Sequence, residues 1–164
     1  MKYRQVVVIG SSDEDNYTEE AYRIGLYIAK KGWVLISGGR GGIMEAASRG
    51  ASDANGIVIG ILPGYNGDEA NKYCNIIIPS GIGYARNLTN VLSGDVIVSI
   101  SGKSGTLSEL AYAWQFGKPV ILCRFSGGWS KKLSEFPVDD RKGSVMYTAD
   151  SLEDVFGYLD KLLS

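Results

Sequence analysis

The sequence contains no histidine. That absence removes the Ser-His-Asp and Cys-His arrangements of nucleophilic catalysis, and with them the common zinc sites built on imidazole ligands. Cysteine is scarce: Cys74 and Cys123 are the only two, far apart and each in or beside an apolar run. Buried, reduced thiols of a cytoplasmic protein are expected, not a disulfide framework. Basic charge is not in excess, since 17 Lys and Arg stand against 18 Asp and Glu for a formal net charge of −1. A protein that neutralises many phosphates of a polymer carries a basic surplus, so a nucleic-acid partner is not expected. The local pairs Lys131-Lys132 and Arg141-Lys142 do not alter that balance. No apolar run approaches the ~18 residues needed to span a bilayer, and the one in MKYRQVVVIG is too short for a secretory signal, so no membrane partner is expected.

Glycine, by contrast, is plentiful, with 22 residues gathered where apolar runs end. The 164 residues are 45% hydrophobic, which suits one domain over 1–164 with a full core. Residues 5–9, 33–36, 57–62, 75–78, 95–100 and 119–122 read as short strands. Several are nearly pure Val, Ile and Leu without alternation, as in strands covered on both faces of a parallel sheet. Residues 18–31, 42–54, 84–93 and 106–116 are helix-compatible, with Gly32 and Gly117 placed as helix-terminating glycines. A final helix carries the apolar stripe Leu152, Val155, Phe156, Leu159, Leu162 and Leu163, with Asp150 as its expected cap and Glu153 completing a capping box. Residues 124–143 are irregular and read as a long surface loop. The expected fold is α/β: a single-domain, Rossmann-like three-layer α/β/α sandwich with a mainly parallel sheet.

Ligands of open α/β sheets bind at the carboxyl ends of the strands, so the segments after each strand matter most. The first strand runs into Gly10-Ser11-Ser12. The second runs into Ser37-Gly38-Gly39-Arg40-Gly41-Gly42 and then Ile43-Met44. The fifth runs into Ser101-Gly102-Lys103-Ser104-Gly105-Thr106. Glycine lets backbone amides approach an anion, a helix N-terminus adds free N–H groups, and hydroxyls add donors. Three such loops on one sheet edge are the makings of a phosphate cradle. The dinucleotide fingerprint GxGxxG is missing after the first strand, and no acidic residue ends the second, so a nicotinamide dinucleotide is excluded. Gly102-Lys103-Ser104 looks like the end of a Walker A loop, but Ile97 stands where that motif needs its first glycine.

The segments SGGRGGIMEAASRGA and SGKSGTLSELAYAWQFGKPVIL resemble the LOG-like group, often labelled "lysine decarboxylase", and most closely its molybdenum-cofactor-carrier-like Rossmann branch. The resemblance runs from Val6 to about Leu122. The hallmark PGGxGTxxE is matched at Gly102, Gly105, Thr106 and Glu109, with Ser101 in place of the proline and Lys103 in place of the second glycine. Arg86, followed by Asn87, falls at the family's upstream arginine. The resemblance implies a homodimer or higher homo-oligomer that binds a phosphorylated small molecule: a nucleotide or a phosphorylated cofactor as ligand, with no further cofactor required. The implied ligand and phosphate contacts are Gly10, Ser11, Ser12, Gly38, Gly39, Gly42, Met44, Asn87, Gly102, Lys103, Ser104, Gly105 and Thr106. The alternative that the resemblance implies is phosphoribohydrolysis of nucleoside 5′-monophosphates, with Arg86 and Glu109 as the candidate catalytic pair. A carboxylate beside an oxocarbenium-like centre suits that chemistry. Two alternatives stay open at this level: Arg86 and Glu109 as a structural ion pair, and Lys103 as a solvated side chain.

Overall fold

The computed structural model describes residues 2–13, 15–143 and 145–164. Seven strands form one parallel sheet in the order β4-β3-β2-β1-β5-β6-β7. They are β1 (Gln5–Gly10), β2 (Val34–Ser37), β3 (Val58–Leu62), β4 (Ile76–Pro79), β5 (Val96–Ile100), β6 (Val120–Cys123) and β7 (Met146–Ala149). Six helices flank the sheet: α1 (Thr18–Lys30), α2 (Gly42–Asp53), α3 (Arg86–Ser93), α4 (Ser104–Gln115), α5 (Gly128–Glu135) and α6 (Leu152–Leu163). The order reverses between β1 and β5, which pair over Val6–Gly10 and Val96–Ile100. That is the topological switch point of the fold.

The unalternating apolar strands are explained by two cores. Val6, Val8, Leu35, Val98 and Ile121 face α1, α2 and α6. Their neighbours Val7, Ile9, Ile36, Ile97 and Leu122 face the layer of α3, α4 and α5. With apolar groups on both faces, each central strand loses the polar/apolar alternation of a half-exposed sheet. Within the first layer, α1 and α2 touch backbone to backbone. A Cβ on Gly25 would lie 1.9 Å from the Ala47 carbonyl oxygen, and one on Gly50 would lie 1.9 Å from that of Tyr22. The close approach pins the N-terminal end of α2 against the β1–α1 loop, where the Ile43 amide donates to the Ser11 carbonyl at 2.9 Å.

Four expectations need correction. Residues 124–143 are not one surface loop: residues 124–126 form a 3-10 turn and Gly128–Glu135 form α5. The short, charged segment lacks a long apolar stripe of its own and gains its place by packing Trp129 and Leu133 on the sheet. Strand β7 was not expected, because MYTA has only four residues and a mixed character. The cap of α6 is one residue later than read: Ser151 Oγ accepts from the Asp154 amide at 3.1 Å, and Asp154 reaches back to the Asp150 amide at 2.9 Å. Asp150 instead pairs with Arg124 at 2.7 Å. Finally, β4 is not buried. The chain joins β3 to β4 by a loop in place of a helix, and all four strand residues are exposed. The cysteines agree with expectation in being free, Cys123 buried and Cys74 half-buried. No helix of the described residues is long and apolar enough to cross a membrane.

Because the α1–α2 contact leaves no room for a methyl group, Gly25→Ala is expected to lower the unfolding free energy by about 1–3 kcal/mol or more. Urea denaturation measures it; an unchanged midpoint would contradict the packing.

Candidate functional site

At the switch point, the loops after β1 and β5 and the start of α3 enclose a cavity of about 370 Å³. The β1 end can approach β5 and α2 only as glycine, since a Cβ on Gly10 would lie 2.7 Å from the Ile100 carbonyl oxygen. Ser11 and Ser12 follow it onto the cavity wall. On the opposite side stands the β5–α4 loop. Ser101 has φ 55° and Gly102 φ 105°, and a Cβ on Gly102 would lie 2.4 Å from the Thr106 side chain. Side-chain-free backbone at residue 102 therefore lets the first turn of α4 fold back on the strand end. The segment misread as a loop holds this turn in shape. Ser126 Oγ accepts from the Ser101 amide at 2.6 Å, and Ser130 donates from both its amide and its hydroxyl to the Ser101 carbonyl. The Trp129 amide donates to the Gly102 carbonyl at 3.2 Å.

Helix α4 begins with no side-chain cap, and so does α2. Among the described residues the amides of Gly105 and Thr106 have no protein acceptor. First-turn amides of this kind carry the positive end of the helix dipole. Ser104, Gly105 and Thr106 line the cavity, and so does Glu109 one turn on along the same face.

Arg86 opens α3 and is buried, 8% exposed. Its Nη1 donates to Asn87 Oδ1 at 2.6 Å and its Nη2 to the Gly38 carbonyl at 3.4 Å, while its Nε has no partner among the described residues. Asn87 in turn donates to Ser108 Oγ at 3.0 Å, tying α3 to α4. Burial works against the charge of Arg86. Among the described residues it makes no ion pair: the pairs within 4.0 Å are Lys31–Asp160, Lys103–Asp13, Arg124–Asp150 and Arg141–Asp139. The alternative of an Arg86–Glu109 bridge is thus not what the structure contains. Glu109 is 6% exposed and is held by Asn90 Nδ2 at 3.2 Å. Desolvation pushes its carboxyl up to about 7, against the pull of the Asn90 hydrogen bond and the Arg86 charge.

Of the residues read from the sequence, the cavity wall brings together Gly10, Ser11, Ser12, Met44, Arg86, Asn87, Lys103, Ser104, Gly105, Thr106 and Glu109. Gly38, Gly39, Gly42 and Gly102 stand behind it. Gly38 underlies the Arg86 guanidinium, which a Cβ there would meet at 2.8 Å. The Gly39 amide donates to Ser37 Oγ at 3.0 Å, and its carbonyl accepts from Asn71. Gly42 faces a larger neighbouring cleft of about 930 Å³ that adjoins this cavity at Ser12 and Asp13. Sequence reasoning passed over Asp13, Arg40 and Tyr84, which also line the cavity. Arg40 lay in plain view inside the second glycine loop; Tyr84 had no signal beyond its position before Arg86. Lys103 is solvent-exposed, as one reading of the sequence had it, and also donates to Asp13 Oδ2 at 2.7 Å across the cavity mouth; the hydrogen bond, with the lysine charge, holds that exposed carboxyl below the usual range.

The sequence model of the SLOG cluster4 family matches residues 3–156. The chain belongs to the SLOG cluster4 family. An uncharacterized protein of Archaeoglobus fulgidus is 46% identical over 121 residues, 73% of this chain and 80% of that one. The molybdenum cofactor binding protein of the phototrophic bacterium Rippkaea orientalis superposes with a TM-score of 0.89 at 36% identity, covering 100% of this chain and 99% of that chain. The molybdenum cofactor carrier protein of Chlamydomonas reinhardtii superposes with a TM-score of 0.85 at 30% identity, covering 99% of both. This SLOG cluster4 chain thus superposes over nearly its whole length on proteins named for the molybdenum cofactor.

The raised carboxyl of Glu109 has a consequence for stability. Its folded pKa lies above the unfolded one, so between about pH 4.5 and 7 the native state holds the extra proton and stability falls as pH rises. The fall levels off above pH 7 and amounts to on the order of 3 kcal/mol if Glu109 alone is responsible. Glu109→Gln is expected to remove this slope, measured as urea midpoints at pH 5 and pH 8. Identical slopes for the two proteins would show that Glu109 ionises freely.

Proposed function

We propose that this protein binds and carries a phosphorylated, nucleotide-type ligand of the molybdenum-cofactor class in the switch-point cavity, as a cytoplasmic binding protein without turnover. The observation that carries the reading is Arg86: a buried guanidinium with, among the described residues, an unpartnered Nε and no carboxylate within ion-pair distance, beside the uncapped first turn of α4. A buried cation left alone costs several kcal/mol, whereas an anionic phosphate would compensate it and accept from the Gly105 and Thr106 amides. Ser11, Ser12, Ser104 and Thr106 supply hydroxyl donors around the same cavity. These groups suit a phosphate monoester, which is how a pterin cofactor and a nucleoside monophosphate resemble one another. The names of the relatives from Rippkaea orientalis and Chlamydomonas reinhardtii favour the pterin. In this reading Lys103 and Asp13 close the mouth over the ligand, and Lys103 neutralises part of its charge.

A second reading, phosphoribohydrolysis of nucleoside 5′-monophosphates, is favoured by one feature. Glu109 is a buried carboxyl near pH 7 in its titration, on the wall of the same cavity and one turn from Thr106. In its ionised form it would stabilise the positive charge that develops on the ribose, with Arg86 holding the leaving group's side of the site.

Two measurements separate these readings. The molybdenum cofactor released from a donor enzyme is expected to co-elute with the chain, read as bound molybdenum. Arg86→Met is expected to weaken retention tenfold or more, in line with about 1.5–3 kcal/mol for a hydrogen bond to a charged group. AMP and GMP incubated with the protein are expected to yield no ribose 5-phosphate. Release that disappears in Glu109→Ala would establish the hydrolase instead, and failure to bind any phosphate monoester would overturn both readings.

A further inference from the structure

Arg40 is a second arginine on the wall of the switch-point cavity. It is half-buried, and among the described residues it forms no ion pair. Its backbone is held from the segment after β3: the Asn71 amide donates to the Gly39 carbonyl at 2.8 Å, and Asn71 Nδ2 donates to the Arg40 carbonyl at 3.0 Å. Arg40 comes from the end of β2, on the other side of β1 from β5 and α4. Arg86 stands between the two sides. Its Nη2 reaches the Gly38 carbonyl in the Arg40 loop, and the neighbouring Asn87 is bonded to Ser108 of α4. The two guanidinium groups are close enough for their charges to oppose each other. Burial does most to disfavour the charged form of Arg86, and the Arg40 charge acts in the same direction, against the pull of Glu109 and Glu69. Glu69 is exposed and, among the described residues, is within ion-pair distance of neither arginine.

A single phosphate monoester does not use all of these groups. The Gly105 and Thr106 amides together with the Arg86 Nε–H are enough to engage its terminal oxygens. Arg40 is then left on the same cavity wall with nothing to accept from it. Like charges along one wall repel until an anion lies between them, and the planar fork of a guanidinium suits phosphate oxygens. We propose that Arg40 forms a second anion subsite next to Arg86, and that this chain takes a diphosphate ester, one phosphate meeting α4 and Arg86 and the other meeting Arg40. The inference rests on the binding reading above and narrows it. A nucleoside diphosphate and a longer pyrophosphate-linked ligand share the chemistry, whereas a nucleoside monophosphate leaves Arg40 unused. Because Asn71 already fixes the backbone of residues 39 and 40, little ordering of this loop is left to be done on binding.

Isothermal titration calorimetry of the full chain with AMP, ADP and diadenosine diphosphate, at one ionic strength, tests the second subsite. ADP is expected to bind about tenfold more tightly than AMP, as one further charge-assisted contact would give. Arg40→Met is expected to reduce ADP to the affinity of AMP while AMP keeps its wild-type affinity. Arg49→Met removes the same charge from the neighbouring cleft and is expected to leave the preference for ADP as it was. Thermal denaturation checks that both variants are folded. Diadenosine diphosphate binding as tightly as ADP supports a diphosphate within a longer ligand, and weaker binding supports one at the ligand's end. Equal affinity of the wild type for AMP and ADP would overturn the second subsite and leave the binding reading standing. An ADP preference lost to the same extent in both variants would overturn it too, since long-range attraction would then replace contact. Binding of neither AMP nor ADP would overturn the binding reading and the subsite with it.

Discussion

Arg86 carries its charge into the protein at the first residue of α3, where water cannot solvate it fully. Two of its nitrogens find neutral acceptors, the Asn87 side chain and the Gly38 carbonyl, and the third finds none. Much of the surrounding structure serves to keep it there. Gly38 lets the β2–α2 loop pass against the guanidinium, and the Asn87–Ser108 bond ties α3 to α4. A neutral isostere would cost less to bury; in the proposed binding reading an anion meets the cation in the bound state.

The position of Arg86 depends on the sheet order. Reversal between β1 and β5 splays the loops that follow these strands to opposite sides, opening a crevice into which α3 and α4 direct their first turns. The β5–α4 loop is then fixed from behind by residues 126–130, whose serines and amides satisfy the Ser101 and Gly102 backbone. Rigid donors around a cavity lower the cost of ordering on binding. Glu109 is the counterweight. Its burial raises the carboxyl to about 7, so the protonated and ionised forms are both populated at neutral pH.

Much of this was legible in the sequence, for definite reasons. Runs such as VVVI and VIVSI expose two-sided burial directly, and the glycine-rich ends of β1, β2 and β5 marked the loops that share one edge. Arg86 and Glu109 came from resemblance, not from spacing; 22 intervening residues conceal that α3 and α4 lie side by side. What escaped had weak local signals. Helix α5 and strand β7 are short and mixed in polarity, so tertiary contacts decide them: packing of Trp129 and Leu133 for α5, pairing with β6 and packing of Met146 for β7. The isoleucines of β4 read as core because composition cannot reveal that the preceding connection lacks a helix. Asp13 entered the site only through its contact with Lys103, 90 residues away in sequence.

In the proposed complex Arg86 and the first turn of α4 meet one phosphate together. Amide and guanidinium NMR spectra of the protein titrated with AMP and, in parallel, with adenosine test this. AMP is expected to shift the Gly105 and Thr106 amides and the Arg86 Nε–H resonance in one saturable event, and adenosine to leave all three in place. Saturable binding of AMP that moves other resonances and leaves these three unchanged would contradict it.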